Sequence, residues 1–130
     1  MSEISELQKE RTKVLVVEDD PIAAEVLRTG LDALGCAVVV VGTGEEAMDL
    51  LHREQWAVDC LLADIVLPGP VDGWTVGNEF RLQRPTAPVI FVSAYEQKNR
   101  SRQPHRSAFL YKPVHPAQLV RLFRDLNEAA

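Results

Sequence analysis

Five short runs in this chain are apolar without polar alternation: "KVLVV" (13–17), "CAVVVV" (36–41), "VDCLLADI" (58–65), "APVIFVSA" (87–94) and "AFLYK" (108–112). A strand with one face in water alternates; a strand covered on both faces does not. Between the runs lie segments whose apolar residues recur at helical spacing. "PIAAEVLRTGLDALG" (21–35) sets Ile22, Val26, Leu27, Leu31 and Leu34 on one face, with Gly35 as C-cap. "GEEAMDLLHRE" (44–54) is apolar at Ala47, Leu50 and Leu51, and "WTVGNEFRLQ" (74–83) forms a third helix. "PAQLVRLFRDLNEA" (116–129) keeps Leu119, Leu122, Phe123 and Leu126 in phase. Buried strands alternating with helices predict an α/β domain with a doubly wound, five-stranded parallel sheet. Right-handed crossovers leave few arrangements, and 2-1-3-4-5 is one of the two common orders.

Two stretches break the alternation. "PGPVDG" (68–73) holds two prolines and two glycines and reads as a loop. "EQKNRSRQPHRS" (96–107) has no apolar periodicity and contains Pro104, so the fourth helix is expected to be short or frayed. Residues 1–12 are polar, with only Ile4 and Leu7 at helical spacing, and read as a tail before a domain spanning 13–130. A chain of 130 residues makes one domain with a real core. Its net charge of -5 argues weakly against indiscriminate nucleic-acid binding. No apolar run approaches a membrane span, and the N-terminus is too polar for a signal peptide. Cys36 and Cys60 lack metal-type spacing and read as reduced, buried thiols of a cytoplasmic protein. Trp56 and Trp74 read as packing residues, and His52, His105 and His115 as solvated. Lys98, Arg100, Arg102 and Arg106 form a basic stretch without an acid, either a solvated patch or a docking site for an acidic partner.

The chemistry gathers at the strand ends. In "VLVVEDDP" (14–21), four apolar residues run into three acids and a proline. Asp20 can cap a helix that begins at Pro21, with the acids favoured by the helix dipole. The alternative is a cation site. In open α/β sheets, ligands bind beyond the carboxyl ends of the strands, at the switch point. Glu18 and Asp19 follow strand one there, Asp64 closes strand three, Ser93 strand four and Lys112 strand five. Three carboxylates facing one lysine favour a divalent cation, and oxygen ligands select a hard one, Mg²⁺ before Ca²⁺ or Mn²⁺. Mg²⁺ bound by few carboxylates pairs naturally with phosphate, and a carboxylate can attack phosphorus to give an aspartyl phosphate. Mg²⁺, Lys112 and Ser93 would then share the charge on the phosphoryl oxygens.

These residues carry a family resemblance. "VLVVEDD", "LLADIVLPG", "DGW", "VIFVSA" and "FLYKP", in this order and spacing, resemble a receiver domain of two-component response regulators, the chemotaxis-regulator-like family, over residues 13–127. The resemblance implies the flavodoxin-like receiver fold and a switch that takes a phosphoryl group from a histidine kinase or phosphotransfer protein onto Asp64. It implies direct Mg²⁺ ligation by Asp19, Asp64 and the Val66 carbonyl, with Glu18 acting through water. Lys112 would pair with the phosphoryl group, Ser93 would hydrogen-bond it, and Ala94 would leave room and offer its N–H. Ser93 and Phe109 match the switch positions, and Pro113 matches a proline after a cis bond from Lys112. The expected protein is not an enzyme in the ordinary sense but a phosphoacceptor that assists its own phosphotransfer and dephosphorylation.

Departures from the pattern sharpen the expectation. "PGPVDG" is one residue longer than the commonest version of this loop, and Ser93 stands where Thr is commoner. Phe109 lacks the hydroxyl of the frequent Tyr, and Tyr95 is placed to shield the phosphoryl group from water. The chain stops just after the last helix, so a single-domain regulator without an output domain is expected. The alternatives are a receiver cut from a hybrid kinase or longer regulator, and an aspartyl-phosphate phosphatase. A haloacid-dehalogenase-type enzyme would want a second Asp at Val66, and a flavin module of this fold would not place "EDDPIAA" against a phosphate.

Overall fold

The computed structural model describes residues 11–53 and 57–128. Five strands, β1 (Lys13–Val17), β2 (Ala37–Val41), β3 (Cys60–Asp64), β4 (Val89–Ser93) and β5 (Ser107–Tyr111), form one parallel sheet in the order β2-β1-β3-β4-β5. Four α-helices cover it: α1 (Pro21–Ala33), α2 (Gly44–Leu51), α3 (Gly73–Gln83) and α4 (Pro116–Glu128). The doubly wound fold expected from the alternation is the fold observed. The expected positions Ile4, Leu7 and Trp56 lie outside the described residues.

The unbroken apolar runs are explained by burial on both faces. Leu15, Val17, Leu61, Ala63, Val89 and Phe91 pack toward α2 and α3, whereas Val14, Val16, Leu62, Ile90 and Val92 pack toward α1 and α4. Each fully buried Val or Leu side chain contributes on the order of 1.5–3 kcal/mol. Cys36 and Cys60 are free and buried, as expected, and burial pushes the Cys60 thiol up to about 12, with Asp59 adding to the effect. No described helix is long and apolar enough to cross a membrane.

Helix boundaries correct the sequence reading in instructive places. α1 ends in a Schellman motif, in which Cys36 N–H donates to Leu31 O (3.0 Å) and Gly35 N–H to Asp32 O (3.0 Å). Gly35 has φ +93°, a conformation that L side chains rarely adopt. Cys36 therefore belongs to the cap, and β2 starts at Ala37. Leu27 and Leu31 are buried as expected, but Ile22, Val26 and Leu34 are exposed at 77%, 55% and 49%. The buried stripe of α1 is narrower than the sequence pattern, because Leu27 and Leu31 turn into the core shared with Leu119 and Phe123, whereas Val26 faces an open cavity. Arg11 and Thr12, assigned to the tail, are tied down: Arg11 pairs with Asp32 (2.9 Å), and Thr12 O accepts from Ala37 N (2.8 Å).

The fourth helix is reduced to a single 3₁₀ turn, Arg100–Arg102. Side chains of α3 hold it and the chain that follows. Asn78 Nδ2 donates to Arg102 O (2.9 Å), and Arg102 pairs with Asp72 (2.9 Å) and donates to Thr75 Oγ1 (3.1 Å). Buried Arg81 donates to the carbonyls of His105 (3.0 Å) and Arg106 (2.9 Å), where Arg106 sits at φ 55°. The basic stretch is solvated as expected, with local partners for two of its arginines. Arg102 is paired, Arg100 lies over Phe109, and Lys98 is left exposed. The histidines are exposed, yet His52 Nε2 lies 3.2 Å from Glu79 Oε2, and His105 Nε2 donates to Pro85 O at 3.1 Å.

Candidate functional site

The backbone ladder continues one residue past the strands at the carboxyl edge. Glu18 N–H donates to Val41 O (3.0 Å), Ile65 N–H to Val92 O (3.0 Å) and Lys112 N–H to Ser93 O (2.9 Å). Those bonds fix the residues that leave the sheet, so the side chains that matter stand on rigid backbone. Helix α3 buttresses the same edge. Gly73 N–H donates to Ile65 O (2.9 Å), and a Cβ on Gly73 would overlap the Asp64 carbonyl oxygen and lie 2.7 Å from Ile65 Cα. Only glycine permits that approach.

Glu18, Asp19 and Asp64 each bring a carboxylate oxygen within 4.8 Å of the others. Glu18 and Asp64 are buried, at 4% and 6% exposure, while Asp19 faces solvent. Lys112 Nζ bridges them, 2.7 Å from Glu18 Oε1 and 2.8 Å from Asp64 Oδ2. Burial raises the Asp64 pKa, and neighbouring Glu18 raises it further against the opposing pull of Lys112. Burial works against the Lys112 charge, but hydrogen bonds to Asp64 and Glu18 outweigh it and hold that pKa above the ordinary value. One ammonium against three carboxylates leaves a negative crevice of oxygen donors, which suits a hard divalent cation. Asp20, the third acid of the opening run, turns away to cap α1, accepting from Ile22 N–H at 3.1 Å. The acids of "EDDP" therefore divide: Asp20 caps the helix, while Glu18 and Asp19 join Asp64 in an acidic cluster that could hold a metal ion.

Of the remaining expected residues, Val66, Ser93 and Ala94 stand at the same carboxyl edge, whereas Phe109 lies mid-strand in β5 opposite Phe91. Val66 is exposed on the loop after β3, Ser93 is buried at the end of β4, and Ala94 is exposed next to it. The Lys112–Pro113 bond is cis. Phe109 is half-buried in an aromatic row, 6.4 Å from Trp74 and 5.2 Å from Tyr111, and Trp74 lies 4.6 Å from Phe91. The Trp74 side chain is packed as expected, and its buried indole N–H has no partner among the described residues. The Tyr95 side chain is 76% exposed, and its main-chain N–H donates to Ser93 Oγ at 3.2 Å.

Sequence reasoning missed three residues near the site. Gln97 Nε2 donates to Ser93 Oγ (2.9 Å), Arg100 covers the Phe109 ring, and Asp72 caps α3 while pairing with Arg102. Asp72 stood in a quoted motif without a role. Gln97 and Arg100 fall in a segment with no periodicity, so only folded geometry reveals them.

Comparison with known proteins agrees with this geometry. The model of the response regulator receiver domain matches residues 14–124. An uncharacterized 14.6 kDa protein from the sodA1 3′ region of Leptolyngbya boryana is 36% identical over 117 residues, 86% of this chain and 87% of that protein. A cyclic di-GMP phosphodiesterase of Thermotoga maritima is 33% identical over 112 residues, 84% of this chain but 29% of the enzyme. The chain thus spans under a third of that relative's length. The crystal structure of a response regulator receiver protein from Sinorhizobium medicae superposes with a TM-score of 0.85 at 28% identity, covering 93% of this chain and 98% of that one. By fold, site and sequence, the chain belongs to the response regulator receiver domains of two-component signalling.

Proposed function

We propose that Asp64 accepts a phosphoryl group from the phosphohistidine of a sensor histidine kinase or phosphotransfer protein, and that the aspartyl phosphate shifts the domain between two conformations. The observation that carries this reading is Lys112 Nζ held between Glu18 and Asp64 at 2.7 and 2.8 Å. An Asp64 oxygen attacks phosphorus as the P–N bond breaks, and the imidazole nitrogen keeps the electron pair. Lys112 then follows the charge onto the phosphoryl oxygens, and the Ser93 hydroxyl donates to one of them. Asp19 and Asp64, with the Val66 carbonyl and Glu18 through water, would hold Mg²⁺, which supplies neutralising charge for the phosphoryl dianion. Ser93 moves toward the new group, and the Phe109 ring follows.

The donor must reach Asp64 across the surface around the crevice. A cavity of about 260 Å³ there is lined by Glu18 and Lys112 and by apolar Ala23, Val26, Leu27 and Pro113. Exposed Ile22 lies one helical turn before Val26 on α1, and the two would meet an apolar face of the donor. Intact-mass analysis after incubation with acetyl phosphate tests the reading. Labelling is expected only with Mg²⁺ and not in Asp64→Asn; equal labelling of both proteins overturns it.

A further inference from the structure

Ser93 ends β4, one residue past the Asp64↔Val92 pairing, and its side chain is 1% exposed. Gln97 Nε2 lies 2.9 Å from Ser93 Oγ and 3.3 Å from the Tyr95 carbonyl oxygen. A carbonyl oxygen only accepts, so the carboxamide atom between the two is the amino group, donating to both. The Tyr95 N–H donates to the same Ser93 Oγ at 3.2 Å. A serine hydroxyl has two lone pairs and one proton. Both lone pairs are therefore engaged by N–H groups, and the proton is the one hydrogen-bonding capacity Ser93 has left. A phosphoryl oxygen on Asp64 only accepts, so it needs that proton.

We infer that Gln97 is a positioning residue for phosphoryl transfer, acting through Ser93: by donating to Oγ it keeps the hydroxyl proton available for the phosphoryl oxygen. The inference rests on Asp64 being the phosphoacceptor. Without Gln97, Oγ regains a free lone pair and the hydroxyl can rotate among other acceptors. A glutamate at this position accepts only, so it takes the Ser93 proton for itself. Gln97 is half-buried in the loop after β4 and its side-chain hydrogen bonds stay within residues 93–97, so its replacement is expected to leave the fold intact.

The test is the rate of Asp64 labelling by acetyl phosphate with Mg²⁺, read by intact mass. It compares wild type, Gln97→Leu, Gln97→Glu, Ser93→Ala and the Ser93→Ala/Gln97→Leu double variant. Gln97→Leu is expected to label about five-fold more slowly, the equivalent of one ordinary hydrogen bond, and Gln97→Glu at least as slowly. In the Ser93→Ala background, Gln97→Leu is expected to change nothing further. A wild-type rate in Gln97→Leu, or an undiminished loss in the Ser93→Ala background, overturns the inference and leaves the phosphoacceptor reading standing. Failure of wild type to label removes both.

Discussion

The Arg100 guanidinium lies 4.1 Å from the centroid of the Phe109 ring. The segment that stands in for a fourth helix is thereby attached to Phe109, the residue proposed to follow Ser93, through a cation lying over its ring. Arg100 is exposed, so Arg100→Ala is expected to cost no more than about 1 kcal/mol. Amide exchange across 99–103 should nevertheless accelerate severalfold by mass spectrometry. Unchanged exchange would mean that the Arg102 and Asn78 contacts hold the turn alone.

Exposed Ile22 separates docking from chemistry. Ile22→Glu places a charge beside the crevice without touching Glu18, Asp64 or Lys112. Phosphotransfer from a cognate kinase is expected to slow at least ten-fold, with acetyl phosphate labelling within two-fold of wild type, both on the order expected for a lost interface contact. Equal slowing of both would show that the change disturbs the site itself.

Three carboxylates within 4.8 Å of one another form in the folded state a cluster that could hold a cation and that the unfolded chain lacks. Mg²⁺ at ten times its Kd is expected to stabilise the protein by about 1.4 kcal/mol. The melting temperature should rise by roughly 4 °C or more, and Asp64→Asn should lose most of the rise. A melting temperature indifferent to Mg²⁺ would remove the metal from the reading.

Asp72 gives a pH signature of its own, outside the acidic cluster. Partial burial opposes its charge, but hydrogen bonds from Thr75 and the Arg102 ion pair outweigh this and hold its pKa below the usual value. A depressed carboxylate contributes stability above its unfolded pKa of about 3.9, and that contribution is lost as pH falls through the folded value. Asp72→Asn keeps a capping side chain and loses the charge. Wild type is expected to be more stable at pH 7 by about 0.5 kcal/mol, the pair being half-exposed. The two proteins should converge by about pH 3 in denaturant titrations; a constant difference would assign the effect to the cap alone.

Gly73→Ala tests the buttress under Asp64. The added methyl meets main chain rather than a movable side chain. A loss near the top of the about 1–3 kcal/mol range for overpacking is expected, together with slower Asp64 labelling. Wild-type stability would show that α3 can shift without cost.

Much of this protein can be read from its residues in order. Strand runs such as "VLVV" and "VIFV" have no periodicity but two-sided burial, and two-sided burial between helices admits few topologies, so the 2-1-3-4-5 sheet follows from local pattern. The convergence of Glu18, Asp19, Asp64 and Lys112 follows as well, because parallel strands bring their carboxyl ends to one edge. What the tertiary structure alone decided is which flank of α1 stays bare and what holds residues 96–107. Helical spacing marks Ile22 and Val26 as apolar, yet burial depends on what packs over that flank: Ile22 stays exposed, and Val26 lines the open cavity beside Glu18, Lys112 and Pro113. Segment 96–107 lacks an apolar stripe, and its order comes from Asn78, Arg81 and Asp72, residues 24–30 positions away in sequence. Such hydrogen bonds are directional and span a range no local pattern encodes, so they exist only once the helices and strands have been placed.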